Sequence, residues 1–426
     1  MMQAQGTTLL GGRPERQLAE TDRLPLIALL VANVVSLLGT SMTTVALPWF
    51  VLQSTGSAGK TGLVAAAAML PAVAAGIFGG TLVDRLGYRR ISIASDLISG
   101  LSIAMIPLLY QTVGLAFWQL LALVFVGAVL DIPGLTARRS LLPELASAAN
   151  WRLERANSLF ESSQHAALLI GPPIAGLLIS WRGPIDVLWL DAASFAVSGV
   201  LVAALVSVPI AVTAVESKGY LRDLVAGLQF LRQHRLLLSL ALTVTVGNLL
   251  SAPVFAVLLP VYADAAFGRA TPLGLMFAAM GAGSLAGALA YGAIGHRFSR
   301  RWLWLISFLL APADLWLLAL SPPLPVLLVG FLVGGVVSGS TNPLLVTIRH
   351  ERIPPAMRGR VFGTFSSIAM AAQPFGVFLG GIMVDRVGFQ PTLVALAVAA
   401  QLLGVALFFL PVLRTMDDNR LEPHRD

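Results

Sequence analysis

The chain has 426 residues, 57% hydrophobic and only 12% charged, with a mean hydropathy of +0.82. Soluble domains carry about 25% charged residues, so a water-soluble fold of this size lacks the polar surface to cover itself. Zero cysteines exclude a disulfide framework, thiolate metal sites and a cysteine nucleophile.

Residues 1–23 are polar, lack the short apolar core of a signal peptide and read as a retained N-terminal tail. Crossing about 30 Å of hydrocarbon takes about 20 apolar residues in a helix. The uncharged runs are divided by Gln53-Ser54-Thr55-Gly56-Ser57, Gln111-Thr112-Val113-Gly114 and Ser321-Pro322-Pro323. They predict twelve membrane helices over 24–52, 58–83, 89–110, 115–138, 154–180, 186–209, 236–263, 271–295, 302–320, 324–348, 359–384 and 389–412. Of 28 cationic residues, 24 fall on one set of alternating loops and tails. Only Lys60, Arg182, Arg269 and Arg386 fall on the other. The positive-inside rule then expects both termini in the cytoplasm. It also accounts for the formal charge of +7 as arginines facing the inner leaflet, not as a nucleic-acid surface.

The longest polar connection, 210–235, carries Leu221, Leu224, Val225, Leu228 and Leu231 at helical spacing with charged residues between them. That predicts an amphipathic linker helix lying on the membrane surface. It divides the chain into a tail (1–23), a six-helix bundle (24–209), the linker, a second six-helix bundle (236–413) and a C-terminal tail (414–426). Gly79-Gly80-Thr81-Leu82-Val83-Asp84-Arg85-Leu86-Gly87-Tyr88 recurs as Gly380-Gly381-Ile382-Met383-Val384-Asp385-Arg386-Val387-Gly388-Phe389 at the end of the eleventh predicted helix. The two copies end on opposite sides of the membrane, the relation that inverted repeats produce.

The loop Gly80-x-Leu82-x-Asp84-Arg85-x-Gly87-x-Arg89-Arg90 resembles the signature loop of the major facilitator superfamily, and the resemblance covers essentially the full chain. Gly171-Pro172-Pro173-Ile174-Ala175-Gly176 resembles the antiporter motif of that superfamily's drug:proton exchangers. Here Ala167 and Ala175 stand where that motif has glycines. Asp131-Ile132-Pro133, Ala137-Arg138-Arg139-Ser140-Leu141-Leu142-Pro143, Ala156-Asn157-Ser158-Leu159 and Asp191-Ala192-Ala193-Ser194-Phe195 resemble the bacterial branch of macrolide-efflux and enterobactin-export proteins. The resemblance implies an all-α integral membrane protein of the bacterial inner membrane, with the major facilitator fold of inverted repeats. It also implies a cytoplasmic gate formed by Gly80, Asp84, Arg85, Gly87, Arg89, Arg90 and Asp131. The expected partner of Asp131 is Arg85 or Arg89.

Charges inside membrane helices are costly and point to function. Glu161, Gln164, His165, Leu168 and Pro172 share one face of the fifth predicted helix. Glu161 and His165, one turn apart, are the first proton-coupling candidates, with Arg155 or Arg358 as a structural partner of Glu161 instead. Asp96 reads as structural; Asp191 and Asp314 read as structural or water-exposed, with coupling as the alternative for both, and Asp191 is kept as a further coupling candidate. Asn33, Thr40, Gln164, Asn248 and Gln373 are candidate cavity residues among apolar neighbours, a lining that suits an amphipathic substrate. Together these features predict a monomeric secondary transporter, exporting an amphipathic small molecule against an inward flow of protons and using no metal or cofactor beyond the proton gradient. Uptake or facilitated diffusion of a metabolite is the alternative transport reading. A membrane enzyme or scaffold is the alternative of another class, disfavoured because His165 is the only histidine within a predicted span and no HExxH or GxxxxGK[ST] motif occurs.

Overall fold

The computed structural model describes residues 23–71, 87–206 and 220–418. Every regular element among them is helical, and eleven helices are long and apolar enough to cross a bilayer. We label the crossings in chain order. In the first half, α1 is Leu24–Thr55, α3 Tyr88–Thr112, α5 Leu153–Arg182 and α6 Pro184–Leu205. α4 joins Phe117–Val129 to Asp131–Ala148. In the second half, α7 runs from Arg235 through the π-turn Val254–Leu258 to Phe267, and α8 is Thr271–Ile294. α9 joins Arg300–Leu310 to Ala313–Ala319, and α10 joins Leu324–Gly339 to Thr341–Arg352. α11 joins Arg358–Ala371 to Gln373–Val387, and α12 is Phe389–Phe408. α2, over 58–71, continues to the edge of the described residues and completes the expected twelve.

The interruptions have a covalent cause. Pro133, Pro343 and Pro374 each follow a break, at Leu130, Ser340 and Ala372, because proline cannot donate to the carbonyl four residues back. In hydrocarbon the carbonyls near a break need other donors. Ser95 Oγ donates to the Leu130 carbonyl (2.9 Å), and Ser307 Oγ on α9 donates to the Val337 carbonyl near the α10 break (3.1 Å). The repeated segment behaves as its sequence requires. Gly87 and Gly388 hold φ of +85° and +94°, and α3 and α12 begin at the next residue. Such backbone is open to glycine and strained for other residues.

Within each half, helices pack backbone to backbone at small residues. A Cβ on Gly376 would press on the Leu249 backbone of α7, and one on Gly283 or Gly287 would press on the backbone of α10. The four-residue glycine spacing therefore serves packing within a half. The linker helix, Tyr220–Gln233, packs on α11. Its Gly227 packs on Thr364 and the Arg360 carbonyl of α11, Phe230 and Leu231 are buried, and Val225 is exposed. The absence of a Cβ at Gly227 permits that docking. Part of the expected C-terminal tail is docked as well, since Asp417 accepts hydrogen bonds from Ser299 Oγ and the Arg300 N–H, both at 2.7 Å.

One buried charge pair holds the N-terminal half. Arg138 of α4 pairs with Asp96 of α3, and Ser198 of α6 joins both, accepting from Arg138 at 3.0 Å and donating to Asp96 at 2.8 Å. Arg138 Nε donates to Ser92 Oγ (3.2 Å). Asp96 thus has a structural role, as a counter-charge to Arg138. Removing one member strands the other charge in a low-dielectric interior. Asp96→Ala is expected to destabilise the protein by about 3–5 kcal/mol. The double variant Asp96→Leu/Arg138→Met is expected to cost less than that single change. Detergent-titrated unfolding in mixed micelles, followed by helical circular dichroism, measures both.

Candidate functional site

A central cavity of about 590 Å³ lies between the two halves. The first half supplies Thr40, Thr43 and Thr44 from α1 and Asp131 and Asp191 from α4 and α6. The second half supplies Asn248, Ser251 and Phe255 from α7, Phe277 from α8 and Gln373 from α11. The remaining wall is largely aliphatic, and no arginine or lysine lines it among the described residues.

The helix breaks place several of these groups. Leu130 interrupts α4 immediately before Asp131, and Ala372 interrupts α11 immediately before Gln373. Asp191 is 1% exposed and accepts from Thr43 Oγ1 of α1 at 2.5 Å; Ser194 Oγ lies 3.3 Å from its other oxygen. Ser99 Oγ lies 2.7 Å from the Gly127 carbonyl and 3.0 Å from Asp131 Oδ1, so its one proton serves either acceptor. Asn248 Nδ2 is held by the Ala369 carbonyl of α11 at 2.8 Å.

Three of the five expected cavity residues, Thr40, Asn248 and Gln373, line this space. Asn33 and Gln164 do not. Asn33 is fully buried and donates to Ser163 Oγ of α5 at 2.8 Å. Gln164 has a buried Nε2 that meets no acceptor among the described residues. Of the coupling candidates, Asp191 lines the cavity, whereas Glu161 and His165 lie on an exposed face of α5. Glu161 pairs with Arg139 of α4, not with Arg155 or Arg358, and both side chains are about half exposed. Asp131 meets Ser99, and Arg89 Nη2 donates to the Ala203 carbonyl of α6 at 2.5 Å; Arg85, the other expected partner, lies outside the described residues. Gly80, Asp84 and Arg85 lie outside the described residues; Gly87, Arg89 and Arg90 open α3. Thr43 and Ser99, which hold the two cavity carboxyls, were missed in the sequence. A helical serine or threonine carries no mark of which carboxylate it faces across the bundle.

At the arginine-poor end the halves close on each other through two matched helix pairs. A Cβ on Gly62 of α2 would lie 2.6 Å from the Val377 carbonyl oxygen and 3.2 Å from Gly381 Cα of α11. A Cβ on Gly176 of α5 would lie 2.8 Å from the Ala270 carbonyl oxygen and 3.1 Å from Gly274 Cα of α8. Each contact is accompanied by a helix cap donated across the halves. Asp385 of α11 accepts from Ser57 Oγ (2.6 Å) and from the N–H groups of Ala58 (2.8 Å) and Gly59 (2.9 Å) at the start of α2. Ser180 Oγ of α5 accepts from the Thr271 N–H at 3.0 Å, at the start of α8. These acceptors satisfy helix-end amides that have no partner within their own helix. Of the antiporter-like motif, Gly176 and the Pro172 carbonyl form part of this seal, while Gly171 packs within its own half on Ser41 of α1.

A bundle of membrane helices in two halves, enclosing a cavity and joined at one end by close backbone contacts, defines a membrane transporter. Residues 24–426 match the transmembrane secretion effector family, and the chain belongs to that family of the major facilitator superfamily. It is 36% identical over 405 residues to the multidrug efflux pump Tap of Mycolicibacterium fortuitum, covering 94% of this chain and 99% of the relative. Over 376 residues it is 25% identical to macrolide efflux protein A of Streptococcus pyogenes, covering 86% and 91% of the two chains. Among solved structures, a mutant of the nucleoside transporter NupG superposes with a TM-score of 0.77 at 15% identity, over 90% of this chain and 99% of that one. A bacterial homologue of the lysosomal transporter Spinster, described as inward-facing and unoccupied, gives 0.72 at 15% identity over 95% and 99%.

The seal makes a direct prediction. The chain has no native cysteine, so Thr40→Cys provides a single reporter in the cavity. It is expected to resist a membrane-impermeant maleimide applied from the arginine-poor side. Adding Gly62→Val, which places a branched side chain against the Val377 carbonyl, is expected to keep the seal open and raise the labelling rate severalfold. Asp385→Ala, losing a helix cap worth about 1 kcal/mol, is expected to raise it less.

Proposed function

We propose that this protein is a proton-coupled exporter of amphipathic small molecules. It works by alternating access as a monomer in the bacterial cytoplasmic membrane, with both termini and the arginine-rich loops in the cytoplasm. The observation that carries this reading is the central cavity: apolar walls from both halves, a few fixed polar groups, and two carboxyls, Asp131 and Asp191, with no lining arginine or lysine among the described residues. Its volume, about 590 Å³, falls within the range of about 300–1,000 Å³ typical of drug-sized ligand pockets. Acidic, largely apolar walls favour cationic or neutral amphipathic molecules and disfavour anions. The efflux functions named for the relatives support export over uptake.

The coupling role falls to Asp191, with Asp131 beside it on the same cavity. As a carboxylate, Asp191 accepts from Thr43 Oγ1 and contributes negative charge to the cavity. On protonation it becomes neutral, and the cavity loses part of its attraction for a cation. Proton and substrate thus compete for one cavity, and a site that exchanges them as the halves rock releases substrate on the side where the proton enters. Glu161, paired with Arg139 away from the cavity, serves structure in this scheme. The loop from Gly80 to Arg90 acts as the opposing latch on the cytoplasmic end.

The test uses inverted membrane vesicles energised to an acid interior, with a pH-sensitive dye, challenged in turn with lipophilic cations, macrolides and catecholate siderophores. Wild type is expected to release protons on addition of a transported compound. Asp191→Asn is expected to lose that release, and Glu161→Gln is expected to keep it. Release that persists in Asp191→Asn, or a folded wild type that responds to none of the three classes, overturns the reading.

A further inference from the structure

A second cavity, of about 260 Å³, lies inside the C-terminal half between α7, α9, α10 and α12. It shares Asn248, Ser251 and Phe255 with the central cavity, so the two spaces meet at one stretch of α7 beside its π-turn. α9 opens this space by breaking at residues 311–312, where Pro312 prevents a regular helix, and Gln401 Nε2 of α12 covers the Leu309 carbonyl at 3.2 Å.

Asp314 lines this chamber, and its carboxyl has no hydrogen-bond or ion-pair partner among the described residues. It rests against Gly334 of α10. A Cβ there would fall 2.6 Å and 2.7 Å from its two oxygens, so the glycine leaves the carboxyl its space. Among the described residues no arginine or lysine lines the chamber, while the rings of Phe255, Phe308 and Phe331 do. The contrast with Asp96 is direct: that carboxyl is matched by Arg138, and Asp314 is matched by no cation among the described residues. An intramembrane carboxyl without a partner is costly and marks a place where a cation arrives from outside the protein. The aromatic faces add attraction for an organic cation. The chamber lies below the volume range of drug-sized pockets, so it suits one arm of a ligand whose body occupies the central cavity.

We infer that the chamber binds the protonated-amine arm of the exported molecule, with Asp314 as its counter-ion, so that the substrate class is an aromatic amphiphile carrying a flexible amine. This rests on the exporter reading above. The protein then reads substrates at two points, the body between the halves and the amine arm within the C-terminal half.

Two dyes separate these points. Quinacrine carries a flexible tertiary-amine arm on an aromatic tricycle, and 9-aminoacridine is a related tricycle without the arm. Fluorescence titration of the purified full-length protein in detergent is expected to give a lower Kd for quinacrine. Asp314→Asn is expected to weaken quinacrine by about tenfold, as for loss of a charge-assisted contact, and 9-aminoacridine by less than about twofold. Gly334→Ala keeps the charge but crowds the carboxyl, and is expected to reproduce that selective loss. An unchanged thermal midpoint shows that each variant is folded. Unaltered quinacrine affinity in Asp314→Asn, or equal weakening of both dyes, overturns the proposal and leaves the exporter reading standing. Failure of wild type to bind either dye removes the amphipathic-cation reading and this proposal with it.

Discussion

Hydrocarbon offers no hydrogen-bond partner, and the placement of polar groups in this protein follows from that constraint. Where proline breaks a helix, serines on the neighbouring helix add a hydrogen bond to a carbonyl near the break, as Ser95 does at the α4 break and Ser307 beside that of α10. At Asp96 an opposite charge and a hydroxyl, Arg138 and Ser198, are brought to the buried carboxyl, and at Asp191 hydroxyls alone are. Helix ends at the seal that would otherwise leave amides unpaired are capped by Asp385 and Ser180 from the opposite half. Polar groups left unspent by this scheme are few, and the carboxyl of Asp314 is prominent among them.

The same constraint explains how the halves hold together and yet part. Helix contacts in lipid gain little from the hydrophobic effect and depend on close backbone approach and a few hydrogen bonds. At the arginine-poor end the contacts are Gly62 on Gly381 and Gly176 on Gly274, with one cap donated in each direction. Such an interface is specific in geometry and modest in energy, so an alternating-access cycle can break it without disturbing either bundle. The buried pair Asp96–Arg138 lies wholly within one half, where it ties α3, α4 and α6 together through Ser198.

Much of the fold was legible in the sequence. Span lengths, the breaks between them and the confinement of cations to alternate loops come from composition along the chain, and the bilayer thickness sets the ruler. The positive φ of Gly87 and Gly388 is legible because those two glycines close the same repeated motif and are each followed directly by a helix. The linker helix was legible as amphipathic, but its seat on α11 was not, since a small residue such as Gly227 shows that something may approach and not what does. The candidate site was legible in part. Thr40, Asn248, Gln373 and Asp191 line the cavity, whereas Asn33, Gln164, Glu161 and His165 do not. A polar stripe on a helix states which residues share a face, and that face can turn to the cavity, to a neighbour or to the surface.

The sequence by itself determined that this is an all-helical membrane protein of the major facilitator kind, because apolar length, charge asymmetry and a repeated turn motif are properties of the chain read in order. Only the tertiary structure decided which carboxyls meet the central cavity, which is matched by arginine, and which is left open to a ligand. It also decided where the halves touch. Those outcomes depend on the rotation and depth of each helix against its neighbours, and that is set by glycine contacts and cross-helix hydrogen bonds between residues more than a hundred positions apart.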